Sequence, residues 1–312
     1  MKFDALHFRD EDAARAYVEA LRWPQGRVCG KCGSFKSYET KKPGRYRCGE
    51  PQCRKDFTVM TGTVMEASHV RLTVWLMAFY LMASSKKGMS AHQLHRSLDV
   101  TYKTAWFLAH RIREAMKAGG LASPMGGAGS IIEADETYYG ATSEMMTSRK
   151  TGSKFLRSRR GRGSANKRAI VSLVERGGSV RSFHVASADK ETVQKIIREN
   201  VDPASRLHTD ESRLYPGASV AQHEHVKHSI REYARGDVNT NSVEGYFSVF
   251  KRGMRGTYQH CAEKHLHRYL AEFDFRHNNR TALGITDNMR AKAAIQGIEG
   301  KRLTYRRTNE AR

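Results

Sequence analysis

The chain has 312 residues, 39% of them hydrophobic, which is enough for a real core and for more than one domain and excludes a mainly disordered protein. Lys and Arg outnumber Asp and Glu by 54 to 32, a formal net charge of +22 that points to a polyanionic partner, nucleic acid first. No run of about 18 apolar residues is present, which excludes a spanning helix, and the start Met1-Lys2-Phe3-Asp4 has no apolar signal core; a cytoplasmic protein without a membrane partner is expected, its five cysteines thiols or metal ligands rather than disulfides.

Residues 3–23 predict a short amphipathic helix opened near Asp10 and ending at Trp23-Pro24. The stretch 27–60 is basic and Gly-punctuated. It holds two close pairs, Cys29-Gly30-Lys31-Cys32 and Cys48-Gly49-Glu50-Pro51-Gln52-Cys53. Paired cysteines on tight turns supply two tetrahedral corners each, so Cys29, Cys32, Cys48 and Cys53 predict a zinc ribbon with a closed, structural site. A redox CxxC would need a βαβ pattern, and none surrounds it. Cys261 stands apart as a small, buried residue.

Helical periodicity returns over 70–117. Val74 to Ala83 suits a buried helix. Ser90 with Gln93 resembles a capping box for a helix through Leu98, Asp99-Val100 reads as a turn, and Thr101 opens a second helix. Ala105, Leu108, Ala109, Ile112 and Met116 share its inner face, and Lys103, Arg111, Arg113 and Lys117 are placed outside. Helix, short turn, basic helix is the helix-turn-helix pattern, in which Lys103 and Arg111 would meet DNA; two ordinary packed helices are the alternative. A Gly-rich linker, 119–129, follows.

From 130 to 229 the pattern is α/β. Strands are predicted at 130–139, 168–175 and 179–186, the last two joined by Gly177-Gly178 in a hairpin turn. A helix over 190–200 and strands at 205–210 and 219–226 come next, then helices near 240–252 and 262–276. The insertion 141–167 is strongly basic and includes Arg159 and Arg160: either a solvated loop or an arm that folds onto phosphates. The tail beyond 286 is basic and expected to fray after 300.

Three acids stand out. Strand alternation puts Ile131, Glu133 and Asp135 on one face, with Ile132 and Ala134 on the other. Asp210 falls where another strand should end, and Glu244 near the start of a helix. Acids ending apolar strands are costly unless partnered or metal-bound. Two strand-end aspartates and a helix glutamate in this order can converge on one point and offer divalent magnesium (or manganese) its hard oxygen ligands. Lys251 lies two turns beyond Glu244 on the same helix face, and Arg252 and Arg255 extend the basic surface. Asn241, one turn before Glu244, competes for the third position, and Glu133, Glu136 and Glu211 are neighbouring candidates. His208, His223, His225 and His228 lack metal-site spacing and read as scattered polar residues.

With these residues in place the sequence resembles the DDE transposases of bacterial insertion sequences, the ISXO-like group with an N-terminal zinc ribbon. The matching segments are Thr61-Gly62-Thr63-Val64-Met65-Glu66, Thr101 to Trp106, Glu133 to Tyr138, His208-Thr209-Asp210, and Asn239 to Phe247, continuing through Lys251-Arg252-Gly253 and Gly256-Thr257-Tyr258. The resemblance implies a ribonuclease H-like catalytic core, Mg²⁺- or Mn²⁺-dependent strand cleavage and transfer, and a homo-oligomer on double-stranded DNA, at the element's inverted-repeat ends and at target DNA in the bacterial nucleoid. It gives Asp135, Asp210 and Glu244 the metal-ligand roles and Lys251 the associated basic one. The implied organisation is helix and zinc ribbon over 1–66, helix-turn-helix-like segment over 67–120, catalytic domain over 130–285 with its insertion at 141–167, and basic tail over 286–312. A zinc-ribbon DNA-binding regulator without catalysis is the alternative; it leaves unexplained why carboxylates gather in a DNA-facing domain.

Overall fold

The computed structural model describes residues 4–119, 123–141, 145–147, 151–152, 154–156 and 167–304. The chain forms two units, Met1–Ala118 with Asn279–Arg312, and Gly119–Asn278.

In the first unit, α1 (Glu11–Arg22) starts where Asp10 accepts the Ala13 amide at 2.7 Å. The ribbon follows as a three-stranded antiparallel sheet of β1 (Ser37–Glu39), β2 (Tyr46–Cys48) and β3 (Asp56–Phe57). So small a sheet has little core; Trp23, Tyr46 and Phe57 supply it with rings 5.8–6.0 Å apart. Then come α2 (Leu72–Ser84), buried along most of its length, α3 (Ala91–Leu98) and α4 (Tyr102–Met116). The α3–α4 connection is as the sequence predicts. Ser90 and Thr101 accept the Gln93 and Thr104 amides, and Asp99 takes the left-handed conformation at the turn. Ala105, Leu108, Ala109, Ile112 and Met116 are buried.

Two expectations here need correction. Arg111 and Arg113 are buried, not solvent-facing. The Arg111 guanidinium donates to the Leu303 carbonyl at 3.3 Å and lies over the Phe107 ring at 4.6 Å, so it is engaged within the unit and not presented to DNA. Lys103 is exposed as predicted. The reason is the second correction: the basic tail expected over 286–312 is packed against the first unit as far as residue 304, where the described residues end. Its α8 (Asp287–Gln296) packs on α2, Val64 donates to Ile298 O at 3.2 Å, and Lys301 reaches the carbonyls of Ala115 and Lys117 at 2.9 and 2.6 Å. This returning chain covers a face of α4 that the sequence alone leaves bare.

The second unit is built on β4 (Ile131–Ala141), β7 (Lys167–Glu175), β8 (Val180–Val185), β9 (Arg206–Thr209) and β10 (Gln222–His225), in the order β10-β9-β4-β7-β8. The β4–β7 and β7–β8 pairs are antiparallel; β4–β9 and β9–β10 are parallel. This mixed sheet is the ribonuclease H-like core. Within the insertion, β5 (Met145–Thr147) and β6 (Lys154–Leu156) form a short antiparallel ladder; Arg159 and Arg160 lie outside the described residues. A helix, α5 (Lys190–Asn200), covers one sheet face, where Val193 and Ile197 meet Ile132, Ala134, Val171 and Leu207. On the other face α6 (Asn241–Gly253) and α7 (Leu266–Asn278) bury Val243, Tyr246, Phe250 and Phe273 against Ile170, Val174 and Val180. A two-stranded ladder, β11 (Ala234–Arg235) with β12 (Val238–Asn239), leads into α6. Glu133 and Asp135 therefore point to the α6 side of the sheet.

Candidate catalytic site

A cleft of about 390 Å³ is lined by Asp135, Glu244, Phe247, Ser248, Lys251, Arg252 and Arg255. Asp135 comes from the middle of β4, Glu244 and the basic residues from α6 and the turn after it. Asp210 follows the end of β9, and its Oδ1 accepts the Ser212 amide at 3.0 Å. Asp135 is mostly buried. Desolvation, and then the charges of Glu136, Asp210 and Glu244, push its carboxyl up to about 8; the Glu136 amide, donating at 2.8 Å, only partly offsets them. A carboxylate this reluctant to ionise beside three other acids would be relieved by a cation, and the donors on offer are the hard oxygens that magnesium or manganese takes.

Among the described residues the carboxylate oxygens do not close into a tight ligand cage; only the four cysteines do. Glu244 is exposed. Its Oε1 accepts from Thr240 Oγ at 2.9 Å and stands 3.8 Å from His228 Nε2. Lys251 shares the cleft and lies 5.8 Å from the Phe247 ring centroid. Asn241 is exposed at the head of α6, and its amide donates to Asn239 Oδ1.

The neighbouring acids are each engaged elsewhere. Glu133 is sealed under α6, where it accepts the Ser242 and Val243 amides and faces Arg176. Glu136, on the opposite strand face, accepts the Tyr215 hydroxyl at 2.6 Å. Glu211 accepts the Ser229 amide and hydroxyl at 3.0 and 2.7 Å, which fixes the turn carrying His228. Sequence reasoning missed Arg176, Thr240 and His228 as parts of this frame. Thr240 was within reach, since a hydroxyl one turn before an acid on a helix can bond it; the Arg176 contact had no local signal.

In the ribbon, the Sγ atoms of Cys29, Cys32, Cys48 and Cys53 all lie within 4.8 Å of one another. The Cys29–Cys53 and Cys32–Cys48 separations are 4.0 and 3.5 Å, close to the ~3.8 Å edge of a tetrahedron with Zn–S of about 2.3 Å. The donor set and its spacing fit zinc.

The family model of the ISXO2-like transposase domain matches residues 126–278, and that of the transposase zinc-ribbon domain matches residues 9–56. A protein of Halobacterium salinarum, described as an uncharacterized protein in transposable element ISH50, is 27% identical over 283 residues, spanning 86% of this chain and 91% of its own length. A solved structure titled Mos1 transposase paired-end complex with left transposon end is matched at 10% identity over 72% of this chain and 80% of that one, with a TM-score of 0.20. Likeness at that level carries no weight for the fold, which rests on the strand order.

Proposed function

Because the chain belongs to the ISXO2-like transposases with a zinc ribbon, we propose that it cleaves DNA strands at the ends of its element and joins the freed 3′-hydroxyl to target DNA. The observation that carries this is the cleft in which Asp135 and Glu244 face Lys251, Arg252 and Arg255, with the charge of Asp210 acting on Asp135. A basic protein that gathers acids in one cleft has the composition of a metal site acting on phosphodiesters.

In this reading Asp135, Asp210 and Glu244 hold divalent magnesium (or manganese). When bound, such ions stabilise charge on the attacking and leaving oxygens of the phosphodiester. The protein's own part is placement. Lys251, Arg252 and Arg255 hold DNA phosphates beside carboxylates that would otherwise repel them. Thr240 fixes the rotamer of Glu244, and the Ser212 amide fixes Asp210. Structural zinc on Cys29, Cys32, Cys48 and Cys53 holds the ribbon, and Lys103 of α4 and the basic insertion with Arg159 and Arg160 contact the double-stranded DNA of the inverted-repeat ends. Two ends and a target engage more than one copy, so the working form is a homo-oligomer on nucleoid DNA. Among the described residues no helix is long and apolar enough to cross a membrane.

An in-vitro reaction with element-end DNA and Mg²⁺ tests the proposal. Strand-transfer products are expected from the wild type and none from Asp135→Ala, Asp210→Ala or Glu244→Ala. Full activity in any of the three would sink the assignment of that residue, and nicks without joining would make the protein a nuclease.

A further inference from the structure

Glu133 lies two residues before Asp135 on the same face of β4, and its side chain is fully buried. Burying a carboxylate costs several kcal/mol unless charge and hydrogen bonds compensate. Here five bonds meet it. Oε1 accepts from Arg176 Nε at 2.9 Å, Arg176 Nη2 at 2.8 Å and Ser242 Oγ at 2.9 Å. Oε2 accepts the amides of Ser242 at 2.7 Å and Val243 at 3.1 Å. Those amides belong to the first turn of α6, where backbone donors lack partners and the helix dipole favours negative charge.

Thr240, the residue at the cap position, makes no side-chain bond to them; its hydroxyl serves Glu244 instead. The cap thus comes from a strand far away in sequence. Arg176 completes the frame. It donates to the carbonyls of Asp237 at 2.8 Å and Asn239 at 3.2 Å, which lead into α6, while its own amide donates to Ile131 O at 2.9 Å on β4. One carboxylate therefore joins the strand that carries Asp135 to the helix that carries Glu244, next to both residues.

We propose that Glu133 is a positioning residue of the metal site: by capping α6 from β4, with Arg176 as its clamp, it sets the spacing between Asp135 and Glu244. This rests on the assignment of those two residues as metal ligands. Ligand constellations tolerate only about 0.5 Å of error, and the groups that orient metal ligands commonly matter by 10–100-fold in affinity. A capping role alone would be met by a side chain at position 240.

The test uses the full-length, zinc-loaded protein and Mn²⁺ alone as probe, with binding followed by electron paramagnetic resonance and end cleavage followed in single turnovers. Asp135→Asn should abolish Mn²⁺ binding. Glu133→Asp, which keeps the charge and retracts it by one methylene, and Glu133→Gln, which keeps the shape and loses the charge, should each weaken Mn²⁺ by about 10–100-fold. The maximal single-turnover cleavage rate should fall in parallel, with the half-saturating concentration within about twofold. Arg176→Lys, a milder change that keeps the charge but not the fork, should give the same split if the Glu133 variants fail to fold. Wild-type Mn²⁺ affinity in folded Glu133 or Arg176 variants would overturn the proposal and leave the metal site standing, provided Asp135→Asn has lost binding. Wild-type affinity in Asp135→Asn would instead remove the metal-site reading, and this proposal with it.

Discussion

The Thr240 hydroxyl donates to Glu244 Oε1 at 2.9 Å, one turn along the same helix. Thr240 is itself buried, so an inward residue fixes the rotamer of an exposed acid. Thr240→Val should slow single-turnover cleavage of element ends by about tenfold with little change in melting temperature, and Thr240→Ser should restore the rate. A valine variant with wild-type cleavage would show that Glu244 needs no such anchor.

Asp135 gives a pH prediction. Its carboxyl is raised from 3.8 to about 8 in the folded protein, so the native state holds a proton that the unfolded chain has released. Stability from this group is complete below about pH 4 and is lost as pH rises towards 8. Free of Mg²⁺ and Mn²⁺ but with the ribbon zinc retained, Asp135→Asn should therefore melt several degrees above the wild type at pH 8 and near it at pH 4. Adding Mg²⁺ at pH 8 should raise the melting temperature of the wild type and not of the variant. Identical pH profiles for the two proteins would refute this.

Asp274 accepts the Ser182 amide and hydroxyl and the Tyr246 hydroxyl in the core beneath α6. Burial lifts its carboxyl to about 6 although these bonds pull the other way. Asp274→Ala would leave the Ser182 amide and the Tyr246 hydroxyl buried without their acceptor, while the Ser182 hydroxyl keeps its bond to Tyr246 Oη, and urea unfolding should report a loss of about 2–4 kcal/mol. A loss below about 1 kcal/mol would mean that water replaces the carboxylate.

Lys103 and Arg111 lie on the same helix and should behave differently. Lys103→Ala should weaken DNA binding and lower the salt slope by about one with unchanged melting. Arg111→Ala should lower the melting temperature of the unit through its lost bond to Leu303 and leave the salt slope alone. Equal salt slopes for the wild type and Lys103→Ala would take that residue off the DNA.

The ribbon should depend on its metal. Cys29→Ser or Cys48→Ser, or treatment with a strong chelator, should remove a single equivalent of zinc and expose Trp23, seen as a fluorescence change, because the aromatic cluster around it is too small to hold the sheet alone. Full retention of zinc by either variant would exclude that sulfur as a ligand.

Much of this was legible in the sequence because the signals are local. Alternation in Ile131 to Asp135, the Gly177-Gly178 turn, and the caps at Ser90 and Thr101 each depend on residues a few positions apart. What escaped depends on distance. Glu133 read as a stray neighbour of Asp135 because the amides it caps are on α6, more than a hundred positions later. Arg111 read as a DNA contact because the chain that covers it comes from Leu303. Periodicity assigns a face to a residue; it does not say which later segment will occupy that face.

The return of the chain to its first unit also fixes an order of manufacture. Residues 279–304 complete the unit that α2 and α4 begin, so a nascent chain on the ribosome can finish its sheet domain while the first unit still lacks α8. A copy of the gene cut short after Asn278 would encode all three acids and yet leave α2 without the helix that packs on it.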